Sequence, residues 1–352
     1  MNMISTATKL IIKLAEGHHL TQEEFRILLE NYKDLQNDAT ALARQKTVER
    51  FGKGIYIRGL IEISNICKND CYYCGLRRSN PHCRRYRLTS EDILACCQKG
   101  YTLGFRTFVL QGGEDGGFST EELCDLVATI KQQHPDCAVT LSVGERSRSV
   151  YQQFYDAGAD RYLLRHETAD EQHYRQLHPE NLSPKIRKQC LKDLKEIGFQ
   201  VGTGFLVGSP YQTIDHLCAD LMFIQDFKPH MIGIGPFIPH KDTPFGQMPA
   251  GDLDLTCFLV SLLRLGHPNA LIPATTAMGT LAINGRERAI LAGANVVMPN
   301  LSPPVHRKDY TLYNNKLSDG AEAAESKDVL EARLHAIGYH TVIDRGDFQS
   351  AS

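Results

Sequence analysis

The chain lacks any uncharged apolar stretch approaching the about 18 residues that a membrane span requires, and even its apolar run Leu10 to Ala15 is interrupted by Lys13. Neither export nor membrane insertion is indicated. A basic excess is missing as well. Thirty-nine Lys+Arg face 41 Asp+Glu for a formal net charge of -2, so nucleic acid is not a favoured partner. Cysteine is sparse and odd in number, 11 in 352 residues, which argues against a disulfide-stapled secreted scaffold and for reduced thiols in the cytoplasm. What remains, 42% apolar and 23% charged, is the composition of an ordinary soluble globular chain, able at this length to bury about 75% of its unfolded surface.

The first fifty residues read as helix, from Met3 to Glu16 and again after Thr21, where Thr21-Gln22-Glu23-Glu24 has the form of a capping box. From Tyr56 onward, β-branched runs alternate with amphipathic stretches in eight units. The strands are expected at Tyr56 to Ile63, Thr107 to Gln111, Ala138 to Ser142, Arg161 to Leu164, Gln200 to Phe205, Met231 to Gly235, Ala270 to Ile272 and Asn295 to Met298. Helices are expected between them, with Gly104, Gly158, Gly198 and Gly293 as left-handed caps. Strict alternation favours a parallel sheet, and eight repeats favour its closure. The expected fold is therefore α/β: a TIM-type (β/α)8 barrel over residues 51–300, a helical N-terminal extension over 1–50, and an irregular C-terminal extension over 301–352 with a last helix near Lys327 to Ile337.

A barrel of this kind works at the C-terminal ends of its strands. The segments at those ends include Ser64 to Cys74, Gln111 to Asp115, Ser142 to Glu145, Arg165 to Thr168 and Pro273 to Thr276, most of them polar or glycine-rich. Within the first, Cys67-Lys-Asn-Asp-Cys71-Tyr-Tyr-Cys74 puts three thiols on one tight loop. Such spacing selects zinc or an iron-sulfur cluster, because soft metals prefer sulfur and a short loop costs little closure entropy. Three ligands leave one iron of a cubane open, whereas structural zinc is normally closed by four. Cys83 offers a possible fourth ligand, so a zinc-bound, non-enzymatic barrel stays open at this point. Cys96, Cys97, Cys124, Cys190, Cys218 and Cys257 fall on expected helices and Cys137 precedes a strand, which suits buried structural thiols.

With Tyr73 just before its last cysteine, the loop resembles that of the radical S-adenosylmethionine (SAM) superfamily. The resemblance implies that Cys67, Cys71 and Cys74 hold one [4Fe-4S] cluster whose fourth iron takes SAM, and that an electron from the cluster releases a 5'-deoxyadenosyl radical. It extends through Val109-Leu-Gln-Gly-Gly-Glu-Asp115, Tyr162-Leu-Leu-Arg-His-Glu-Thr168, Ile232-Gly-Ile-Gly-Pro-Phe-Ile-Pro-His240, Ile272-Pro-Ala-Thr-Thr-Ala-Met-Gly279 and Gly293-Ala-Asn-Val-Val-Met-Pro-Asn300. Over about residues 50 to 315, these runs are similar to the HydE family of [FeFe]-hydrogenase maturases, in the biotin synthase-like branch.

That resemblance implies the remaining expectations. Tyr73, Gln111, Gly112, Gly113, Glu114, Ser142, Glu167 and Arg187 would contact the cofactors; Gly112 stands where many relatives have serine. Arg165 and Met231 would serve catalysis, and Arg58, Thr140, Thr275, Thr276, Met298, Tyr310 and Tyr313 would surround an anion-binding substrate cavity. The substrate would be a small organometallic iron-cysteine complex bearing carbonyl and cyanide, and the partners other hydrogenase maturases and a ferredoxin or flavodoxin as electron donor. Methylornithine synthase and biotin synthase chemistry on a small organic acid is the alternative among relatives. No suitably placed interior cysteines suggest biotin synthase's second cluster. Some relatives carry an accessory cluster near the C-terminus; no cysteine follows Cys257, and none is expected here.

Overall fold

The computed structural model describes residues 3–350; Met1, Asn2, Ala351 and Ser352, which belong to the two expected extensions, lie outside the described residues. The strands, in chain order, are β1 Gly54–Ile57, β2 Gly59–Ser64, β3 Thr107–Gly112, β4 Ala138–Ser142, β5 Arg161–Leu163, β6 Gln200–Thr203, β7 Leu206–Val207, β8 Met231–Ile232, β9 Gly235–Pro236, β10 Val296–Val297 and β11 His340–Val342. Six of them, in the order β2-β3-β4-β5-β6-β8, form one parallel sheet. Side chains alternate across it: Phe108, Leu110, Val139, Leu141, Tyr162 and Val201 join the main apolar core. The intervening helices present matching stripes, as in Thr120–Gln133, which buries Leu123, Leu126, Val127 and Ile130 and starts at a Ser119/Glu122 capping box. All four expected cap glycines have φ between 91° and 116°.

Backbone hydrogen bonds complete the ring: Ile232 N to Leu271 O (3.0 Å), Ala274 N to Val296 O (2.8 Å), Arg58 N to Val297 O (2.9 Å) and Leu60 N to Pro299 O (2.9 Å). The expected seventh strand thus occupies its place, but only through isolated bridges at Leu271 and Pro273. Pro273 has no N–H to extend a ladder. The expected first strand is interrupted at Arg58 and divides into β1 and β2.

At the N-terminal end, helices Met3–Ala15, Gln22–Glu30 and Tyr32–Phe51 cover the barrel, the second opening on the expected Thr21/Glu24 capping box. Tyr32–Phe51 packs on Leu253–Gly266, whose residues from Thr256 to Leu265 are all buried. The C-terminal helix is Lys327–Ala336, and β11 after it pairs in parallel with β1. The tail then closes the lower mouth of the barrel. Wholly buried Arg161 donates to Thr107 Oγ1 (2.9 Å), Gln200 Oε1 (3.2 Å), the Arg345 carbonyl (2.8 Å) and Asp347 Oδ1 (2.5 Å). Phe348 packs against Met231, Leu271 and Val296 just inside. With this floor sealed, the open cavity lies at the C-terminal ends of the strands.

Candidate active site at the upper rim

Residues 65–89, between β2 and the helix Ser90–Thr102, have almost no regular structure, and side chains hold them in place. Asn65 Nδ2 donates to the carbonyls of Arg84 (2.7 Å) and Asp309 (2.8 Å), while the Arg85 guanidinium reaches those of Asn65, Leu76 and Arg77 at 2.6 to 2.8 Å. Asp70 pairs with Arg77 at 2.8 Å, which holds its carboxyl well below the usual range. A Cβ on Gly75 would sit 2.1 Å from the Thr311 carbonyl, so only glycine lets the loop pass beneath the C-terminal segment. Cys67, Cys71 and Cys74 all face the same cavity. Burial pushes each thiol up, Cys74 to about 12, so thiolates here need a compensating positive centre such as a metal.

Among the described residues no three His, Cys, Asp or Glu side chains converge as a single metal ion would demand. A tetrahedral zinc takes four ligands around one point, and Cys83 is not on the wall of the cavity that the other three thiols share. Three thiols opening on one cavity fit a cubane, which takes one thiolate at each of three irons. Tyr73 lines the same cavity, its hydroxyl 3.1 Å from Nε2 of His178. Burial pushes His178 down to about 3, and its Nδ1 lies 2.9 Å from the Tyr174 carbonyl, so a neutral ring donates there and accepts from Tyr73.

The turn after β3 meets this loop backbone to backbone. Glu114 N donates to Cys67 Sγ at 3.4 Å and Lys68 N to the Glu114 carbonyl at 3.0 Å; a Cβ on Gly113 would lie 2.3 Å from the Ile66 carbonyl. Arg187, buried on the helix Pro184–Ile197, has Nε 2.8 Å from Glu145 and Nη2 3.8 Å from Glu114. Arg165 Nη2 stands 3.1 Å from Glu167. Both close pairs are near enough to attract but not aligned to hydrogen-bond, leaving Nε of Arg187 and Nε and Nη2 of Arg165 without hydrogen-bond partners. Such buried, underused donors fit a zwitterionic ligand carrying a carboxylate.

The cavity measures about 340 Å3. Cys67, Cys71, Cys74, Tyr73, Gln111, Gly112, Gly113, Glu114, Ser142, Arg165, Glu167, Arg187, Thr275, Thr276, Met298, Tyr310 and Tyr313 all line it. Arg58, Thr140 and Met231 do not. They are buried away from its wall, with Arg58 donating to Met231 Sδ (2.9 Å) and to the carbonyl of Gly346 in the floor (3.3 Å). Thr276 spends its hydroxyl proton on Glu322 at 2.8 Å, whereas Thr275 Oγ1 has no partner. Gln111 Nε2 reaches the hydroxyl of Tyr310 at 3.4 Å. A buried ion pair on the wall was not anticipated: Glu62 accepts from Lys316 (2.7 Å) and Asn300 (2.8 Å). The available signal was a carboxylate within β2, every residue of which is buried.

Residues 61–224 match the radical SAM superfamily. On fold, rim and thiol loop together, the chain is a radical SAM enzyme, a class whose cofactors are a [4Fe-4S] cluster and SAM. It is 43% identical over 308 residues to the [FeFe] hydrogenase maturase subunit HydE of Thermotoga maritima, spanning 87% of this chain and 88% of that one. The chain belongs to the HydE family of [FeFe]-hydrogenase maturases. It is also 28% identical to 3-methylornithine synthase of Methanosarcina acetivorans over 93% of this chain and 91% of that one. The crystal structure of methylornithine synthase (PylB) superposes with a TM-score of 0.82 at 27% identity, covering 95% of this chain and 97% of the other. No helix among the described residues is long and apolar enough to cross a membrane.

Proposed function

We propose that the upper cavity performs the radical step of [FeFe]-hydrogenase active-site assembly on a small iron-cysteine complex bearing carbonyl and cyanide, delivered by another maturase in the cytoplasm. Cys67, Cys71 and Cys74 would hold the cluster. Gly112, Gly113 and Glu114 bring backbone up to the methionine part of SAM, with Tyr73, Gln111 and Ser142 beside it. Arg187 would pair with its carboxylate, and Glu167 would contact SAM from the same cavity wall. When bound, the cluster and SAM would supply one-electron radical chemistry, and the chain's own residues would orient them and exclude water. A ferredoxin or flavodoxin supplies the reducing equivalent.

The observation that carries the substrate reading is Arg165. Its buried Nε and Nη2 lack hydrogen-bond partners on the wall that also holds the free hydroxyl of Thr275. A guanidinium left this way calls for an anionic ligand. Thr276, Met298, Tyr310 and Tyr313 complete the enclosure, while Arg58, Thr140 and Met231 support it from below. Reconstituted Arg165→Ala is expected to keep cluster and SAM but to fail in a hydrogenase maturation assay. Full maturation activity in that variant would contradict the assignment.

A further inference from the structure

Between Arg165 and Glu167, whose side chains both line the cavity, His166 points the other way. It is buried against the helix Ile214–Phe227, beside Phe205 and Phe223. Its ring is bonded at both ends: Nδ1 lies 2.9 Å from Thr203 Oγ1 and Nε2 3.2 Å from Asp220 Oδ1. The same hydroxyl accepts from the His166 backbone N–H at 3.2 Å, and the same carboxylate oxygen accepts from the Ala169 N–H at 2.5 Å. These contacts are mutually consistent for a neutral ring with its proton on Nε2. Thr203 then donates to Nδ1, and Nε2–H donates to Asp220. Burial pushes His166 down and Asp220 up, which keeps the ring uncharged.

The turn so anchored is strained. Glu167 sits at φ 67°, a left-handed conformation that non-glycine residues avoid and that persists only where the surroundings over-determine it. Its own backbone pairs through Glu167 N to the Gly204 carbonyl and Leu206 N to the Glu167 carbonyl, both 3.0 Å, and Thr168 N to the His166 carbonyl at 2.9 Å closes the turn across it. Lys188 Nζ holds the Ala169 carbonyl at 2.7 Å, and Asp220 is the side chain that grips residues 166 and 169 at once and so spans the strained residue. Thr203 ties the same turn to β6. Asp220 is wholly buried and touches neither the cavity nor any residue lining it through its carboxylate.

We propose that Asp220, acting through His166 with Thr203, is a positioning residue for SAM: it holds the left-handed turn that aims Glu167 and Arg165 into the cavity. This rests on the reading that Glu167 contacts SAM. Losing the anchor lets the turn relax, which moves two cavity side chains without touching the thiol loop.

The test uses reconstituted holoprotein carrying Asp220→Ala, Asp220→Asn, Thr203→Val or Glu167→Gln, with SAM itself as probe in equilibrium dialysis. Iron content and the paramagnetic resonance of the reduced cluster are recorded before and after SAM. Asp220→Ala and Thr203→Val are expected to weaken SAM binding about tenfold and to diminish the SAM-induced change in the spectrum. Iron content and the spectrum without SAM should stay as in the parent protein. Asp220→Asn keeps an acceptor for Nε2–H and the Ala169 N–H, so it should restore most of the affinity. Saturating SAM should restore the cleavage rate in all three. If Asp220→Ala does not fold, Thr203→Val decides. Parental affinity in Thr203→Val and any folded Asp220→Ala, with Glu167→Gln weakened, would overturn this inference and leave the site reading intact. Parental affinity in Glu167→Gln as well would overturn both.

Discussion

Arg161 and Arg165 stand four residues apart on and just beyond one strand, and they teach opposite lessons. Arg161, in the floor, has hydrogen-bond acceptors for all three guanidinium nitrogens from Thr107, Gln200, Arg345 and Asp347. Arg165, at the rim, leaves two of its nitrogens without hydrogen-bond partners. Of these two arginines, the one with its donors satisfied closes the floor and the one with donors to spare faces the ligand cavity.

The sharpest way to break the contrast is at the thiols. Cys67→Ser, Cys71→Ser or Cys74→Ser should abolish SAM cleavage entirely and lower iron content, with an unfolding transition close to the parent's, because serine is close to cysteine in size and none of the three thiols belongs to the fully buried core cluster. Cys83→Ser should keep its iron; loss of the cluster on that change would restore a four-ligand site. Stability and iron assays on the four variants check this.

The floor should respond in stability and the rim in binding. Arg161→Met removes the donor from four acceptors, among them the partly buried Asp347, which keeps Arg345 and Gln200 as partners; the expected loss is roughly 3 kcal/mol in urea unfolding, whereas Arg165→Met should cost less than about 1 kcal/mol. Equal losses would erase the distinction. At the SAM clamp, Arg187→Ala or Glu167→Gln removes a charge-assisted contact of about 1.5 to 3 kcal/mol. The dissociation constant should rise roughly 10- to 150-fold with iron unchanged, as equilibrium dialysis would record.

Acid should separate the two regions more gently. His178 and His173, at the rim, are pushed by burial from 6.5 to about 3 and about 4. The unfolded chain therefore binds protons first as pH falls below 6.5, and the stability present above that pH is lost on the way down. The loss is about 2 kcal/mol per histidine by pH 5. In the floor, burial opposes ionisation of Asp347, but Arg161 beside it prevails and holds it at about 2 against 3.8. Its contribution persists above pH 3.8 and fades as pH falls through 2. Hydrogen exchange, corrected for intrinsic rates, should show residues 166–178 losing protection between pH 7 and 5 before 344–348 do.

Much of this was legible in the sequence because it is local. Strand-helix alternation, capping boxes and cap glycines each act within a few residues, and the thiol loop and the turn at Gly113 are contiguous motifs. Depth was not legible. Alternation puts Arg58 on the same face of the chain as Leu60 and Glu62, but it does not say that the tail rises to meet it, so Arg58 belongs to the floor and not to the cavity wall. Nor does local pattern pair Glu62 with Lys316, 254 residues away, or reveal that the short polar strand β11 would add to β1. The expected seventh strand, the ring position after β8, became two bridges, because Pro273 removes a donor.

The central claim is that the thiol loop and the rim form one cradle for a cubane cluster and SAM. Anaerobic reconstitution followed by iron and sulfide counting, with paramagnetic resonance of the reduced protein before and after SAM, tests it most directly. The account predicts about four irons per chain and a spectrum altered by SAM in the parent protein. Colourless, zinc-loaded protein, a second cluster, or a spectrum indifferent to SAM would contradict it.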